Sequence, residues 1–335
     1  MSERIAVLGA GSWGTALAVH CGRVGHEVRL WGRDQALMNE IASTRENAAY
    51  LPAIRVGQGV TPTASLETAL AGVPIVIAAV PSHGMRHVLR IAAPLLPKGA
   101  VVVSATKGLE SDSLARMSQV IADETGAGHP IAVLSGPSFA LEVARGLPTA
   151  VVVASTDPEA ATRVQDTLKG PTLRLYVSDD VTGVEFGGAL KNVIAIAAGV
   201  VEGLGIGHNA MAALITRGLV EMSRLACAEG SRRETLAGLS GLGDLVLTCT
   251  GDLSRNRRVG IELGRGRALH DILSSMKMVA EGVRTTGVAL ALGARRGVEL
   301  PLAAQMSAVL DGRTTAREAV EVLMLRPQRS ETDHD

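Results

Sequence analysis

The sequence has few cysteines and no arrangement of them that could build structure. Cys21, Cys227 and Cys249 are an odd set with no Cys-x-x-Cys pair and no cysteine–histidine spacing, which excludes a disulfide framework and a structural zinc site. They read as small buried apolar residues of a reducing compartment. There is no excess of charge either. The 33 basic side chains are matched by 33 acidic ones and are dispersed along the chain, so no long-range field draws nucleic acid or an anionic membrane. A small anionic ligand stays open, since it needs only a few converging donors. Long apolar runs are also missing: a membrane span needs about 18–20 apolar residues, and the best candidate contains Lys191 and is closed by Glu202. The apolar stretch after Met1-Ser2-Glu3-Arg4 is broken by the glycines from Gly9 to Gly14, which argues against a signal peptide. A soluble, cytoplasmic protein without stable membrane insertion is expected.

What is present points to two domains. A chain of 335 residues with 47% apolar content exceeds the size at which single cores stop growing. Its first half alternates short apolar runs with helical stretches, the pattern of a doubly wound, mostly parallel sheet. Strands are predicted at Ile5 to Leu8, Glu27 to Trp31, Ile75 to Val80, Ala100 to Ala105, Ile131 to Leu134 and Ala150 to Ala154, with Leu173 to Val177 a further candidate. Helices are predicted at Thr15 to Val24, Gln35 to Thr44, Ser65 to Leu70 and Met85 to Ala93. After Ser178-Asp179-Asp180 the alternation stops and helical spacing takes over. The expected division is a Rossmann-type dinucleotide domain over 1–180, an all-helical substrate and catalytic domain over 181–328, and a polar, disordered tail over 329–335.

Gly9-Ala10-Gly11-Ser12-Trp13-Gly14 satisfies G-x-G-x-x-G, follows the strand Ile5-Ala6-Val7-Leu8 and leads into a helix. In that context the first glycine permits a tight turn, the second lets the backbone approach a pyrophosphate, and the third lets helix pack on strand. The helix N-terminus adds N–H donors for phosphate. A plain glycine-rich turn is the alternative. The second strand ends Leu30-Trp31-Gly32-Arg33-Asp34, where an acidic residue would normally take the ribose 2′-hydroxyl. Arg33 instead suits a 2′-phosphate and hence NADP, while Asp34 could still reach a ribose and permit NAD.

Ligands of such sheets bind beyond the carboxyl ends of the strands. There the sequence carries Pro81-Ser82-His83, Thr106-Lys107-Gly108 and Ser135-Gly136-Pro137-Ser138-Phe139-Ala140. Lys107 could meet an anionic substrate, and Gly136 and Ser138 could offer donors, although each has an ordinary loop reading. His83 and His87 share a helix face but lack a third ligand, so no metal is expected. In the helical half, Leu239 to Leu245 and Leu253 to Arg258 are polar interruptions. Ser254 resembles an N-cap, and Arg255 with Asn256 in the first turn would make a site for a phosphate monoester, or simply a capped helix with a solvated basic face.

Lys191 is the leading catalytic candidate. Between Arg174 and Arg217 the only other basic side chain is His208. A lysine within an apolar helix either snorkels to water or is held for a purpose, because burial lowers its pKa towards useful acid–base values. Gly187, Gly188 and Ala195 lie within a turn of it and leave room for a ligand or a strand end. Schiff-base chemistry is a second use for such a lysine.

Together the run from Gly188 to Asn209 around Lys191-Asn192, the Gly9–Gly14 loop, Thr106-Lys107-Gly108, Ser135 to Ala140 and Ser254-Arg255-Asn256 resemble the soluble bacterial NAD(P)-dependent glycerol-3-phosphate dehydrogenase family. The resemblance runs from near residue 4 to about residue 325. It implies reversible reduction of dihydroxyacetone phosphate to sn-glycerol 3-phosphate with NADPH or NADH, a supply step for glycerophospholipid synthesis, and a helical second domain like that of 6-phosphogluconate dehydrogenase. By the same resemblance Lys191 is the proton donor and acceptor. Lys107, Gly136, Ser138, Lys191, Asp244, Ser254, Arg255 and Asn256 contact substrate, with Arg255 as phosphate clamp. Ser12, Trp13, Arg33, Lys107, Ala140, Arg255, Val279 and Glu281 line the cofactor beside Gly9, Gly11 and Gly14, and Asn192 holds the substrate or a water. A homodimer is an expectation with no residue pattern behind it. Two rivals remain: a related hydroxyacid or ketopantoate-type dehydrogenase on the same architecture, and a non-catalytic NADP-sensing protein.

Overall fold

A computed structural model describes residues 2–276, 279–328 and 330–331. Among these residues the strands are β1 (Arg4–Leu8), β2 (Glu27–Trp31), β3 (Glu46–Asn47), β4 (Leu51–Arg55), β5 (Val60–Thr63), β6 (Ile75–Ala78), β7 (Val101–Ser104), β8 (Ile131–Ser135), β9 (Thr149–Ala154) and β10 (Leu173–Ser178). Eight form one sheet in the order β10-β9-β8-β7-β6-β1-β2-β5, and β3 and β4 make a separate antiparallel pair. Neighbours in the large sheet are parallel except β8 and β9. Runs such as Ile75-Val76-Ile77-Ala78 are buried at every position, because helices cover both faces of a parallel sheet and leave no solvent side to alternate with.

Those helices are α1 (Ser12–Arg23), α2 (Gln35–Thr44), α3 (Leu66–Leu70), α4 (Ser82–Ala92), α5 (Met117–Thr125), α6 (Ala140–Arg145) and α7 (Pro158–Leu168). The chain leaves β1 towards β2 and β5 on one side, then returns to β6, β7 and β8 on the other. This reversal opens a crevice at the carboxyl ends of β1 and β6, where Leu8 pairs with Ala78.

The sequence did not announce β3, β4 and β5, nor α5, α6 and α7. Pro52 in β4 and Pro62 in β5 argue against strands, yet both are tolerated: β5 is the outermost strand of its sheet and β4 belongs to a two-stranded pair. Cys21 and Cys249 are buried as expected, but Cys227 is exposed, on the outer side near the end of a long helix. The 329–335 tail lies outside the described residues except for Ser330 and Glu331, which have no regular structure.

The second half is helical throughout: α8 (Val181–Gly203), α9 (His208–Ala228), α10 (Arg233–Ala237), α11 (Asp244–Thr250), α12 (Arg255–Gly264), α13 (Leu269–Ser274), α14 (Glu281–Arg296), α15 (Pro301–Leu310) and α16 (Ala316–Met324). Helix α8 is long and apolar enough to cross a membrane, but its most apolar 18 residues are wholly buried within the protein. It is the axle of a core that includes Phe186, Val193, Ile196, Leu225, Leu245 and Val259.

Four glycines let α12 lie directly on α8. A Cβ at Gly260 would overlap the carbonyl of Ile196, one at Gly199 the carbonyl of Arg257, and one at Gly203 the carbonyl of Ile261, while Gly264 sits against Val200. The backbone contact sets the distance between the start of α12, where Ser254 and Arg255 lie, and Lys191 in α8. Gly260→Ala is therefore expected to cost about 3 kcal/mol of unfolding free energy, since neither backbone can yield to a new methyl group. A urea-melt midpoint equal to the parent's would show that the helices are not held at backbone contact.

Candidate active site

The loop after β1 has the features a dinucleotide requires. Gly9 adopts φ +115°, and a Cβ there would press on the Ala79 carbonyl. At Gly14 a Cβ would overlap the Gly9 carbonyl, so helix α1 can start this close to β1 only without a side chain. A Cβ at Gly11 would meet nothing within 4 Å. Gly11 is also the N-cap of α1 and supplies no side-chain acceptor to its first N–H groups. An open face next to uncapped donors fits a pyrophosphate. The Trp13 Nε1 atom is buried here without a hydrogen-bond partner. Arg33 is exposed beyond β2. Asp34, also exposed, uses Oδ1 to accept from the N–H groups of Ala36 and Leu37 and so caps α2, which leaves Oδ2 as its second acceptor.

Lys191 does not snorkel. It is buried, and its ammonium donates to Asp244 Oδ1 at 2.9 Å and to Thr248 Oγ1 at 2.7 Å. Asp244 is 1% exposed and accepts on its other oxygen, Oδ2, from Lys107 Nζ at 2.7 Å. Lys107 also donates to the Gly136 carbonyl at 2.6 Å and to Ser138 Oγ at 3.2 Å. One carboxylate thus joins two lysines that are far apart in sequence. An ammonium has three donors: those of Lys107 are all engaged, whereas Lys191 has one left for an acceptor.

Charge follows from this geometry. Burial lowers the Lys191 pKa, with Asp244 opposing and Lys107 assisting, to about 8. For Asp244 burial pushes upward, but the two ammoniums outweigh it and hold the carboxyl below its ordinary range. Beside them, burial pushes the Cys249 thiol up to about 12, so it stays neutral.

Small residues around Lys191 admit backbone. Gly187 faces the Ser240 carbonyl, and Gly188 faces Ser135 Oγ at the end of β8, each 2.5 Å from where a Cβ would stand. The end of β8 takes the space beside Gly188, and the turn that carries Ser240 takes the space beside Gly187. The stretch Leu239–Gly243 is a π-type turn that runs straight into α11. The expected polar interruption is therefore a helical segment that carries Asp244 and, one turn later, Thr248.

A second chain of contacts ties the remaining residues together. Asn192 Nδ2 donates to the Lys107 and Gly188 carbonyls at 3.1 and 3.3 Å, and Asn256 Nδ2 donates to Asn192 Oδ1 at 2.8 Å. Asn256 Oδ1 accepts from the Gly282 N–H at 3.0 Å. Asn192 is thus occupied in bracing the site. Ser254 caps α12 by accepting from the Arg257 N–H. Arg255 follows, exposed as a whole residue; burial around its guanidinium pushes its pKa down, with the Glu281 carboxylate opposing. Glu281 accepts from the Ser82 N–H at 3.0 Å and from Ser82 Oγ at 2.6 Å, across the crevice at the start of α4. Ala140 opens α6, and partly buried Val279 stands two residues before Glu281. Ser82 lies in the Pro81-Ser82-His83 loop that the sequence places beyond a strand end, whereas Thr248 stands outside every motif of the sequence. Thr248 had a signal: it lies four residues after Asp244, on the same helix face. Among the described residues no cluster of three histidine, cysteine or acidic side chains could hold a metal ion.

Residues 4–161 match the model for the NAD-dependent glycerol-3-phosphate dehydrogenase N-terminus, and residues 180–321 match the model for its C-terminus. The chain belongs to the NAD-dependent glycerol-3-phosphate dehydrogenase family. Among its relatives, glycerol-3-phosphate dehydrogenase [NAD(P)+] of Acidobacterium capsulatum is 55% identical, covering 98% of this chain and 100% of that protein. That of Thioalkalivibrio sulfidiphilus is 53% identical over 98% of each. The crystal structure of glycerol-3-phosphate dehydrogenase from Coxiella burnetii, 41% identical, superposes with a TM-score of 0.94 over 97% of this chain and 99% of that one. The Rossmann-type sheet followed by a helical half is the architecture of the family's solved structures.

Proposed function

We propose that this chain reduces dihydroxyacetone phosphate to sn-glycerol 3-phosphate, reversibly, with Lys191 as the acid and base. It is an NAD(P)-dependent oxidoreductase of the glycerol-3-phosphate dehydrogenase family. The observation that carries the mechanism is the Lys191 ammonium, buried, oriented by Asp244 and Thr248, with one donor unspent.

NAD(P)H, when bound along Gly9–Gly14, supplies the hydride. Gly11, Ser12 and Trp13 present N–H groups to its phosphates, and Arg33 stands ready for a 2′-phosphate, so NADPH is accepted as well as NADH. Arg255, at the start of α12, clamps the substrate phosphate beside Ser254 and Asn256. Lys191 donates to the ketone oxygen and passes it a proton as negative charge develops. The spent lysine is then neutral, and Asp244 keeps its partner in Lys107, so proton transfer strands no buried carboxylate. Val279, Glu281 and Ala140 complete the cofactor's surroundings, and Gly136 and Ser138 the substrate's. In this reading residues 1–180 bind the dinucleotide, residues 181–328 bind substrate, and the working protein is a cytoplasmic homodimer serving glycerophospholipid synthesis.

The test is NADPH oxidation with dihydroxyacetone phosphate set against a panel of 2-keto and 3-keto acids. Turnover with dihydroxyacetone phosphate alone is expected. Preference for a keto acid favours the hydroxyacid or ketopantoate-type rival, and no oxidation with any substrate favours a sensor.

A further inference from the structure

Asn47 is completely buried on β3, and neither the catalytic cluster nor the substrate contacts use it. Its Nδ2 donates to the Ala10 carbonyl and to Thr15 Oγ1, each at 2.8 Å, and its Oδ1 accepts from the Tyr50 N–H at 3.2 Å. The amide can sit only this way round, because a carbonyl must face its nitrogen and an N–H its oxygen. The turn that Asn47 opens has a second hold on the loop, for Ser12 Oγ donates to the Tyr50 carbonyl at 2.7 Å. Ala10 and Ser12 are therefore both tethered to the β3–β4 hairpin, and Gly11, whose carbonyl accepts from the Thr15 N–H at 2.9 Å, lies between them.

We infer that Asn47 is a positioning residue for the dinucleotide: by holding the Ala10 carbonyl, it turns the Ala10–Gly11 peptide so that the Gly11 N–H faces the phosphates. In a planar trans peptide the C=O and N–H point in opposite directions. Fixing the oxygen towards Asn47 aims the N–H away from the hairpin, and a Cβ at Gly11 would meet nothing within 4 Å, so the residue leaves room for a ligand to approach. Released, the same peptide could turn its carbonyl towards an anionic ligand, replacing a donor with a repelling oxygen, and the buried amide would lose one of its two acceptors. The inference rests on the reading of Gly9–Gly14 as the pyrophosphate site and adds the group that orients it.

The test compares NADPH with adenosine 2′-monophosphate, a probe that carries the adenosine and 2′-phosphate but no pyrophosphate. Asn47→Asp keeps the shape and the acceptor for Tyr50 but sets an oxygen against the Ala10 carbonyl, and Asn47→Ala removes both groups. In calorimetric titrations the NADPH Kd is expected to rise at least about tenfold in either variant. Adenosine 2′-monophosphate should bind within about twofold of the parent, and the KM for dihydroxyacetone phosphate at saturating NADPH should hold, since these do not depend on the Gly11 N–H. Parental NADPH affinity in folded Asn47→Asp overturns the inference, as does equal weakening of both probes or failure of both variants to fold, which would make Asn47 merely structural. Gly11→Leu separates the premise from the inference. It should abolish NADPH binding; if it binds NADPH normally, the loop is not the phosphate site, whereas loss there with normal binding in Asn47→Asp removes only the role given to Asn47.

Discussion

Lys191→Met is expected to lower kcat for dihydroxyacetone phosphate reduction by at least about a hundredfold while NADPH binds as before. Methionine keeps much of the stem's volume, so the loss isolates the ammonium from its packing. The pH profile provides the stricter readout. Burial brings the Lys191 pKa down to about 8, so the proton-donating form disappears as pH rises through that value. Reduction by the parent should fall on this limb, and oxidation of glycerol 3-phosphate, which needs the neutral amine to accept a proton, should rise over the same range. Both limbs vanish in Lys191→Met. Near-normal turnover, or a variant that retains the same limb, would remove Lys191 from the chemistry.

Asp244→Asn is expected to be nearly as damaging for a different reason. Asp244 raises the Lys191 pKa, whereas burial and Lys107 lower it. Without the carboxylate the lowering influence of burial, assisted by Lys107, dominates, and the Lys191 pKa drops below about 8. The limb of the reduction profile then moves to lower pH, and at neutral pH most of the lysine has lost the proton it must donate. A decrease in kcat of about a hundredfold at pH 7.5 is expected, partly recovered towards acid pH, because protonation rather than geometry is limiting. The fold should survive: a buried lysine without its counter-charge sheds its proton in preference to remaining charged. A rate loss of the same size at every pH would mean that Asp244 acts through position alone.

These two results bear on why one carboxylate is shared. Along the sequence Lys191 is isolated from other cations, and that isolation is its most conspicuous feature. In space it is not isolated at all. Lys107 lies on the opposite oxygen of Asp244, with its donors spent on Asp244, Gly136 and Ser138. In the proposed mechanism the pair would divide the work: Lys107 is the charge that, with Lys191, holds the Asp244 carboxyl below its ordinary range, and Lys191 is the one proposed to exchange a proton.

Much of this protein could be read locally. The glycine loop, its strand and its helix form a contiguous segment whose backbone sterics dictate the turn, so Gly9, Gly11 and Gly14 carry their roles in sequence. The continuous apolar runs of β1, β6 and β7 and the uninterrupted helical spacing from Val181 follow from burial on both faces and from the 3.6-residue period. Prolines hid β4 and β5, because the penalty for proline depends on whether a strand is central, and only the assembled sheet reveals that. Asp34 stands at the end of β2, and only the assembled structure shows that one of its two oxygens caps α2.

The sequence by itself determined a Rossmann-type half, a helical half and a lysine set in an apolar helix, which had either to snorkel or to be held for a purpose. Tertiary structure alone decided what that lysine touches. Asp244 lies 53 positions from Lys191 and 137 from Lys107, and Asn47 lies 37 positions from the carbonyl it holds. Local periodicity encodes which face of an element is buried, but not which buried group will lie opposite. That choice is made when α8, α11 and the strand ends pack together, and a charge can be buried there only where its counter-charge arrives with it.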